Sequence, residues 1–526
     1  MNLHKCSLTI NALNMNILNK RLLTLAGSVT LAANMLHAAG DNRQPNVVFI
    51  MVDDYGWADV GYNGSRFYET PNIDRLASEG MIFTDGYAAA SISSPSRVSL
   101  MTGKYPARTG ITDWIPGYQY GRTPEQLKQY KMLAPEMPLN MPLEEVTMAE
   151  AFKEHGYATY HVGKWHCAED SLYYPQYQGF DVNIGGWLKG SPNGIRRSQS
   201  GKGAYCSPYR NPYLPDGPEG EFLTDRLGDE SIKLIKNSSA DKPFFLYLAF
   251  YAVHTPIEAK PEYVKYFKWK AQRMGLDTIA PFTRDLEWYK KAEYKAGHWK
   301  ERTVQSDAEY AALIYSMDEN VGRVMQALKD NGLDKNTIVC LLSDNGGLST
   351  AEGSPTCNAP LRAGKGWLYE GGIREPFIIK YPQLVEAGSV CHTPVVAVDF
   401  YPTLLDIAGL PLKPQQHVDG KSLLPLLKGD QTYDRGPIFF HYPHYGGKGD
   451  TPAGAVRMGD YKLIEFYEDG HVELYNLKND ISETRDLSKT EKDKASEMQK
   501  MLHRWRKDCN AKMPTRNPHY VSVRSK

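Results

Sequence analysis

A short, continuously apolar segment near the start of the chain constrains the fold more than any other feature. Asn46-Val-Val-Phe-Ile-Met-Val52 is rich in β-branched residues and is followed directly by Asp53 and Asp54. Strands that are buried on both faces of a parallel sheet have this unbroken pattern, whereas a strand with one solvated face alternates. The segment therefore predicts a central parallel strand, covered on both sides, that ends at two carboxylates.

Strand and helix patterns alternate along the rest of the chain. Further strand patterns lie at 158–162, 243–250, 337–342 and 376–381. Thr147-Met-Ala-Glu150 is a capping box that opens a helix ending at Gly156, and the segment from Asp307 to Leu328 is amphipathic with helical spacing. The alternation predicts an α/β fold, with a large, mostly parallel sheet sandwiched by helices. Ligands of such sheets bind at the carboxyl ends of the strands.

The two ends of the chain differ from this α/β region. Residues 1–39 combine basic Lys20 and Arg21, an apolar stretch and small residues near the end, which predicts a cleaved signal peptide; a single membrane anchor is the alternative. Residues 44–430 are predicted to form the main, catalytic domain. Short strand patterns after 430 and a helix over 490–506 predict a small C-terminal α+β subdomain at 431–515, with an antiparallel sheet.

Charge and cysteine content exclude several classes of function. The chain has 61 basic and 61 acidic residues, a balance that argues against a general nucleic-acid or membrane-surface binder. Six cysteines remain after the signal segment and none forms a CxxC pair, which argues against a zinc or redox site. One or two disulfides and buried free thiols are both compatible with this number.

Oxygen-rich pairs of residues follow two of the predicted strands. Asp53 and Asp54 end the first strand, and Asp344 and Asn345 follow the strand at 337–342. Adjacent carboxylates repel each other near a core unless a cation is present, and hard oxygen donors suit Ca²⁺ or Mg²⁺ better than zinc. Each pair alone is also compatible with a capped turn. Together, at the edge where ligands bind, they predict a divalent metal site.

The most specific motif begins at Ser93 and reads Ser-Ser-Pro-Ser-Arg97, continuing to Thr102 and Gly103. Arg97 lies one helical turn after Ser93, so both side chains can contact one ligand. A lone Ser-x-Pro-x-Arg is also common where helices begin. The full segment, however, resembles the signature of the type I sulfatases, Cys or Ser followed by x-Pro-Ser-Arg-x-x-x-x-Thr-Gly, and matches every fixed position. Four further segments resemble sulfatase elements in the family's order: 163–166, 251–256, 364–374 and 475–483.

This resemblance implies an alkaline-phosphatase-like fold and the hydrolysis of sulfate esters. It implies that Ser93 is oxidised to 3-oxoalanine (formylglycine), whose hydrate attacks sulfur. The implied ligands of a metal ion, with Ca²⁺ preferred to Mg²⁺, are Asp53, Asp54, Ser93, Asp344 and Asn345. The implied catalytic residues are Ser93, Arg97, Lys164, His166, His254 and Lys365. Among them His254, aided by Lys365, would protonate the departing oxygen, and His166 would take a proton from the formylglycine hydrate.

A serine in place of the family's more frequent cysteine has a further implication. Serine-type members depend on an anaerobic sulfatase-maturating enzyme found in bacteria, so the resemblance implies a bacterial, periplasmic protein. The implied substrate is a sulfated carbohydrate, with galactose or N-acetylgalactosamine sulfate at the end of a glycan favoured. Two alternatives stay open: a related phosphomonoesterase or phosphonate hydrolase, and a catalytically silent protein that binds sulfated glycans.

Two long polar segments, 115–141 and 187–220, are predicted to be functional loops. From the second loop Trp187, Arg196 and Arg197 are predicted to contact the sugar, together with His441 and His444 of the C-terminal subdomain. Binding sites prefer domain interfaces, and arginine suits carboxylate or sulfate groups. The alternative is that the loop is a solvated insertion and that the two histidines belong to the small sheet.

Overall fold

A sheet of eight strands forms the centre of the computed structural model, which describes residues 43–192, 204–239, 241–283, 300–430 and 432–522. The strands are β1 (Asn46–Val52), β2 (Met81–Phe83), β3 (Ala158–Gly163), β4 (Val182–Ile184), β5 (Phe244–Ala249), β6 (Thr337–Ser343), β7 (Phe377–Lys380) and β8 (Ser389–Cys391). Their order across the sheet is β8-β2-β7-β6-β1-β5-β3-β4. β1 has the predicted bounds.

The direction of the strands confirms the prediction of a mostly parallel sheet. β1 lies between β6 and β5 and is parallel to both. β3 is parallel to β5 and to β4. β7 is antiparallel to β6 and to β2, so among the described strands of this sheet it alone runs against the others. Because β1, β3, β5 and β6 are parallel, the residues that follow them meet at one edge.

Eight helices of seven or more residues are described. They are α1 (Pro71–Ser78), α2 (Ser93–Thr102), α3 (Met148–Glu154), α4 (Leu223–Lys236), α5 (Pro261–Arg273), α6 (Ala308–Asp330), α7 (Phe400–Ile407) and α8 (Lys492–Asp508). Four-residue helices lie at Pro106–Thr109, Pro124–Leu127, Glu370–Ile373 and Leu424–Leu427. The predicted capping box is confirmed, since the Thr147 hydroxyl accepts from the amide of Glu150. None of the described helices has the length and hydropathy needed to cross a membrane.

The alternating side chains of β1 divide the core in two. Val47, Phe49 and Met51 pack into one apolar cluster, which includes Phe400 of α7. Val48, Ile50 and Val52 pack into a second cluster with residues of α1, α4 and α6. Burial of one such side chain contributes roughly 1.5–3 kcal/mol, so both faces of this strand must be apolar. Two covered faces explain the unbroken apolar segment in the sequence.

The C-terminal region contains the predicted small antiparallel sheet. Its strands β9 (Ile438–Tyr442), β10 (Ala453–Met458), β11 (Tyr461–Phe466) and β12 (Val472–Asn476) pair in chain order. α8 covers the sheet, with Trp505 stacked on Phe439 at 4.8 Å between ring centroids. The described residues from Pro45 onward form one compact unit. The boundaries proposed at 430 and 515 stay predictions, and residues 1–39 lie outside the described residues.

A buried cluster of charges joins the small sheet to the main sheet. Lys462 of β11 contacts Glu370 at 2.9 Å and Glu483 at 2.7 Å, and none of these three side chains is exposed to solvent. Arg374 also contacts Glu370, at 3.3 Å. The described cysteines, at 167, 206, 340, 357, 391 and 509, form no disulfide with one another, so the disulfide alternative is not realised among them.

Candidate active site

Polar residues from four parallel strands meet at the carboxyl edge of the main sheet. Asp53 and Asp54 follow β1, and Asp344 and Asn345 follow β6. Lys164 and His166 follow β3, and His254 follows β5 by five residues. Gly163 makes close packing possible at the end of β3, since a Cβ on it would lie 1.8 Å from the carbonyl oxygen of Ala249. Parallel pairing, rather than sequence proximity, thus assembles the cluster.

Ser93 is the first residue of α2, and the packing of this helix explains the residue types in the rest of the motif. Ser93 is 2% exposed, and every residue from Ser93 to Thr102 is buried. The helix ends at Gly103, which adopts φ 66° and whose amide donates to the carbonyl of Ser99. A Cβ on Gly103 would lie 2.4 Å from Cβ of His417, so glycine fits both the backbone and the space. The positive end of the helix dipole lies at Ser93 and favours an anion there.

The two oxygen-rich pairs converge around the Ser93 hydroxyl. Oγ of Ser93 lies 3.4 Å from Oδ1 of Asp53 and 3.3 Å from Oδ1 of Asn345. The amide nitrogen of the Asn345 side chain donates to Oδ1 of Asp54 at 2.8 Å. The backbone amide of Asp54 donates to Oδ1 of Asp344 at 3.2 Å. Asp54 has φ 61°, a left-handed backbone that is unusual for a residue other than glycine and that is found at functional sites.

Three cations surround these carboxylates. Lys164 donates to both oxygens of Asp53, at 2.8 and 2.7 Å, and to Ser93 at 3.2 Å. Arg97 donates from Nε to Oδ2 of Asp344 at 2.8 Å. Lys365 donates to Oδ2 of Asp54 at 2.8 Å. Each carboxylate at this edge therefore has a partner with the opposite charge.

The crowding of charge changes the pKa of each carboxyl group. Burial raises the pKa of Asp53 well above its ordinary value, Lys164 opposes this, and Asp344 and Asp54 add to it. Burial also acts to raise the pKa of Asp344, but Arg97 and Lys164 outweigh it and lower the pKa. Three carboxylates so close together remain ionised more readily when a further cation is near.

The donor set fits a hard divalent cation. Single ligand atoms of Asp53, Asp54 and His254 lie within 4.8 Å of one another. Asp344 and Asn345 supply further oxygen atoms beside them, and Ser93 lies against Asp53 and Asn345. Carboxylate and amide oxygens suit calcium or magnesium, whereas the described cluster includes no thiolate for zinc.

The two histidines present different nitrogens. Nδ1 of His254 lies 2.6 Å from the carbonyl oxygen of Thr255, so Nδ1 carries the hydrogen and Nε2 faces Nζ of Lys365 at 3.1 Å. Nε2 of His166 lies 3.3 Å from the carbonyl oxygen of Ile115, and its Nδ1 has no hydrogen-bond partner among the described residues. Burial and then Lys365 lower the pKa of His254 to about 4, and burial and Lys164 lower the pKa of His166 well below its usual range. Both rings are neutral proton acceptors at neutral pH.

A cavity of about 540 Å³ opens above Ser93. Lys365, His166 and His254 line it with Ser93. Both predicted loops contribute to its walls, the first through Ile115, Pro116 and Tyr118, and the second through Leu188, Lys189, Gly190 and Ser191. A loop of the small sheet adds Gly446, Gly447 and Lys448. The cavity is large enough for a sugar and lies between the two sheets.

The structure does not place His441 and His444 at this cavity. Both nitrogens of His441 have partners inside the protein, since they lie 2.8 Å from the Tyr467 hydroxyl and 3.0 Å from the carbonyl oxygen of Lys512. Nε2 of His444 lies 2.8 Å from the Thr112 hydroxyl, and the residue lines a neighbouring cavity. Both histidines are buried, His441 within β9 and His444 two residues after the end of that strand.

The remaining predicted sugar contacts lie elsewhere. Trp187 is half-buried, and its carbonyl oxygen accepts from the amide of His166 at 3.3 Å, so it supports the site without lining the described cavity. Arg196 and Arg197 lie outside the described residues. Among the charged and aromatic residues that line the cavity, sequence reasoning missed Trp114, Glu169, Glu352 and Lys448. The glycines near Lys448 are the feature of the sequence that could have indicated a loop at this position.

The fold and the site together define a class of enzyme. The carboxyl edge of a parallel sheet holds a set of oxygen-bearing side chains that could bind a cation, an alcohol at a helix N-terminus, and lysines and an arginine that attract negative charge. This is the arrangement of the alkaline-phosphatase-like hydrolases, which cleave anionic esters.

Comparison with known proteins identifies the family within that class. The sulfatase family model matches residues 45–410, and the model of the C-terminal region of N-sulphoglucosamine sulphohydrolase matches residues 363–511. A sulfatase of Formosa agariphila is 35% identical over 88% of this chain and 89% of its own length. The N-acetylgalactosamine-6-sulfatase of Canis lupus familiaris is 32% identical over 82% of this chain and 74% of its own length. The crystal structure of Ps i-CgsB in complex with k-i-k-neocarrahexaose is 29% identical, with a TM-score of 0.67 over 91% of this chain and 95% of that one.

The chain belongs to the sulfatase family and is an enzyme that hydrolyses sulfate esters. The predicted family resemblance and fold class are confirmed.

Proposed function

We propose that this sulfatase removes sulfate from a carbohydrate, with Ser93 oxidised to formylglycine as its nucleophile and a calcium ion bound at Asp53, Asp54, Asp344 and Asn345. One observation carries the proposal. Ser93 lies against Asp53, Asn345 and Lys164 at the floor of a cavity that two histidines and Lys365 also line.

The residues of the chain divide the chemistry among them. When bound, a divalent cation would draw charge from the sulfate oxygens, and oxidation of Ser93 would supply a hydrated aldehyde that is a stronger nucleophile than serine. Arg97 and Lys164 stabilise negative charge at the floor of the site. His166 presents a free Nδ1 that can accept a proton. Lys365 holds a proton 3.1 Å from Nε2 of His254, so the two side chains can deliver a proton to the departing oxygen.

The carbohydrate substrate is supported by the relatives and by the cavity. Mammalian N-acetylgalactosamine-6-sulfatases and a structure bound to a neocarrahexaose are similar to this chain. Trp114 and Tyr118 offer aromatic surfaces, on which sugar rings stack, and Glu169 and Lys189 offer polar groups. We favour a galactose or N-acetylgalactosamine sulfate at the end of a glycan. Arg196 and Arg197 remain proposed contacts for a neighbouring anionic group.

The proposal includes maturation and export. Residues 1–39 would direct the chain to the bacterial periplasm, and an anaerobic sulfatase-maturating enzyme would oxidise Ser93. The mature chain would comprise the catalytic domain at 44–430 and the subdomain at 431–515.

The test combines mass and activity. The chain is expressed with and without an anaerobic maturase, and the peptide that contains Ser93 is weighed, with an expected loss of about two hydrogens on oxidation. The matured enzyme is assayed on a panel of defined sulfated mono- and disaccharides and on the matching phosphate esters, with Ser93→Ala as the control. Cleavage of phosphates but not of sulfates would favour the phosphomonoesterase alternative. Binding of sulfated glycans without turnover would favour the silent binding protein.

A further inference from the structure

A loop of the small sheet carries a lysine into the cavity. Lys448 lies between β9 and β10 and is 6% exposed. The Asp450 carboxylate accepts from the amides of Gly446 and Lys448, which fixes the turn of the loop. The carbonyl oxygen of Lys448 accepts from Nε1 of Trp367 and from the hydroxyl of Thr350, both at 3.2 Å. The backbone is held on both sides, while the side chain lines the cavity above Ser93.

A glutamate from the main domain faces this lysine. Oε1 of Glu352 lies 3.7 Å from Nζ of Lys448. Its second oxygen, Oε2, accepts from the Thr255 hydroxyl at 2.7 Å. Glu352 has φ 50°, a left-handed backbone for which a glycine would be less strained. Residues held in such a conformation often serve a site rather than the fold, and this side chain is 45% exposed, so burial does not explain it.

The pair lies beside the residues proposed to protonate the departing oxygen. Thr255 follows His254 directly, and His254 contacts Lys365 at 3.1 Å. Glu352 is thus linked through one hydroxyl group to the residues proposed to protonate the departing oxygen. Its position suits a contact with the sugar that carries the scissile sulfate rather than with a more distant sugar.

We infer that Glu352 and Lys448 bind two neighbouring hydroxyl groups of that sugar, the carboxylate as acceptor and the ammonium group as donor. The inference rests on the proposed carbohydrate sulfatase function. Adjacent hydroxyls of a pyranose offer a donor and an acceptor side by side, which matches an adjacent carboxylate and ammonium group. A second sulfate at this place would meet the negative charge of Glu352. The subsite therefore selects a sugar whose hydroxyls beside the scissile position are unsubstituted.

The test compares Glu352→Gln and Lys448→Met on two substrates of the matured enzyme. One is the preferred sugar sulfate from the panel, and the other is 4-nitrophenyl sulfate, which has no sugar hydroxyls. We expect kcat/KM for the sugar sulfate to fall roughly 10- to 100-fold in either variant, because a sugar hydroxyl in the cavity loses its charged hydrogen-bond partner. For the aryl sulfate we expect a loss of no more than about threefold.

The second part of the test uses a deoxygenated sugar sulfate. For the wild-type enzyme, kcat/KM should fall by a similar factor on an analogue that lacks one of the two hydroxyls. The variant that lacks the partner of that hydroxyl should show little further loss of kcat/KM on the same analogue. Lys478→Met, at a 72% exposed lysine of the same subdomain, is the control variant, and thermal unfolding checks that all variants are folded.

Three results would overturn the inference. The first is an equal loss of kcat/KM on sugar and aryl sulfates, which would show that the residue acts on the sulfate group that both substrates share and not on the sugar hydroxyls. The second is a deoxygenated analogue that the wild-type enzyme cleaves as well as the parent sugar. The third is a wild-type enzyme that cleaves aryl sulfate but no sugar sulfate, although its mass shows that Ser93 is oxidised. That result would also refute the proposed carbohydrate substrate.

Discussion

Nζ of Lys164 lies 2.8 Å and 2.7 Å from the two carboxylate oxygens of Asp53, and neither side chain is exposed. Burial lowers the pKa of Lys164, while Asp53 raises it. Two further carboxylates lie in the same cluster, so the proposed metal ion and this lysine would act on the same excess of negative charge.

We predict that the stability of a Lys164→Met variant depends on calcium. In a chelator the variant should lose about 3–5 kcal/mol, because a buried carboxylate is left without its partner. With calcium in excess the loss should be smaller, since the ion binds the folded state and neutralises the same group. Urea unfolding in both buffers measures the difference, with Lys478→Met as control. Equal losses in both buffers would contradict a shared site, and turnover that survives the chelator would contradict metal assistance.

Replacement of His254 should separate good from poor leaving groups. His254→Ala should lower kcat for a sugar sulfate about 10²- to 10⁴-fold, because an alkoxide must be protonated as it leaves. An activated aryl sulfate needs little protonation and should lose less than about tenfold. Steady-state kinetics on both substrates test this, with exposed His519→Ala as control. Equal losses would show that His254 is not part of the general acid.

The absence of a side chain at Gly190 leaves the space that the ring of His166 occupies. A Cβ on Gly190 would lie 2.3 Å from Cε1 and 2.5 Å from Nδ1 of His166. Gly190→Ala should therefore displace the imidazole and lower kcat at least about tenfold, with KM changed less. In a His166→Ala background the same change should cost little, because the clash is gone. Independent, additive losses in the double variant would contradict this explanation.

Lys462 should be one of the most sensitive positions for stability. It lies between Glu370 and Glu483, and Lys462→Met would leave Glu483 buried without this cation, while Glu370 would keep only its contact with Arg374 at 3.3 Å among the ion pairs described above. We expect a loss of about 3–5 kcal/mol in the free energy of unfolding. Adding Glu483→Gln to the variant should recover part of the loss. Urea unfolding measures both effects, and a loss below 1 kcal/mol in the single variant, by the same principle, would mean that the cluster adds little.

Acid should destabilise the protein through His441. Burial lowers its pKa to about 3 in the folded protein, from an ordinary value near 6.5. The unfolded chain therefore binds more protons, and the stability from neutral His441 is complete above about pH 6.5 and is lost as the pH falls toward 3. At pH 5 the free energy of unfolding should be about 2 kcal/mol lower than at pH 7 because of this residue. His441→Asn should reduce the fall by that amount in urea unfolding at the two pH values. A variant whose stability falls between pH 7 and pH 5 as much as that of the wild-type protein would contradict the prediction.

The meeting of polar residues at one edge of the main sheet could be predicted, because each step of that prediction depends on a pattern within one short segment. A strand with both faces covered must be apolar, and a parallel strand delivers the residues after it to one edge. Asp53 and Asp344 could therefore be placed together although 291 positions separate them. The capping box at Thr147 is likewise defined within four residues.

Other features depend on contacts that no local pattern records. The apolar segment at 376–381 predicted a strand but not its antiparallel direction in β7. His441 belongs to a polar, aromatic segment like that of a sugar site, yet its partners lie at Tyr467 and Lys512. Glu352 reaches the cavity through one unusual backbone angle, and Lys448 through a turn held by Asp450.

The burial of α2 also sets an order of events in the life of the protein. Every residue from Ser93 to Thr102 lies inside the folded core. The maturase of the proposed mechanism, if it binds the peptide around Ser93, would have to reach that peptide while the chain is still unfolded. Under the proposed mechanism the period of synthesis would decide whether each molecule becomes active, and a folded molecule that missed the oxidation would stay inactive until it is unfolded again.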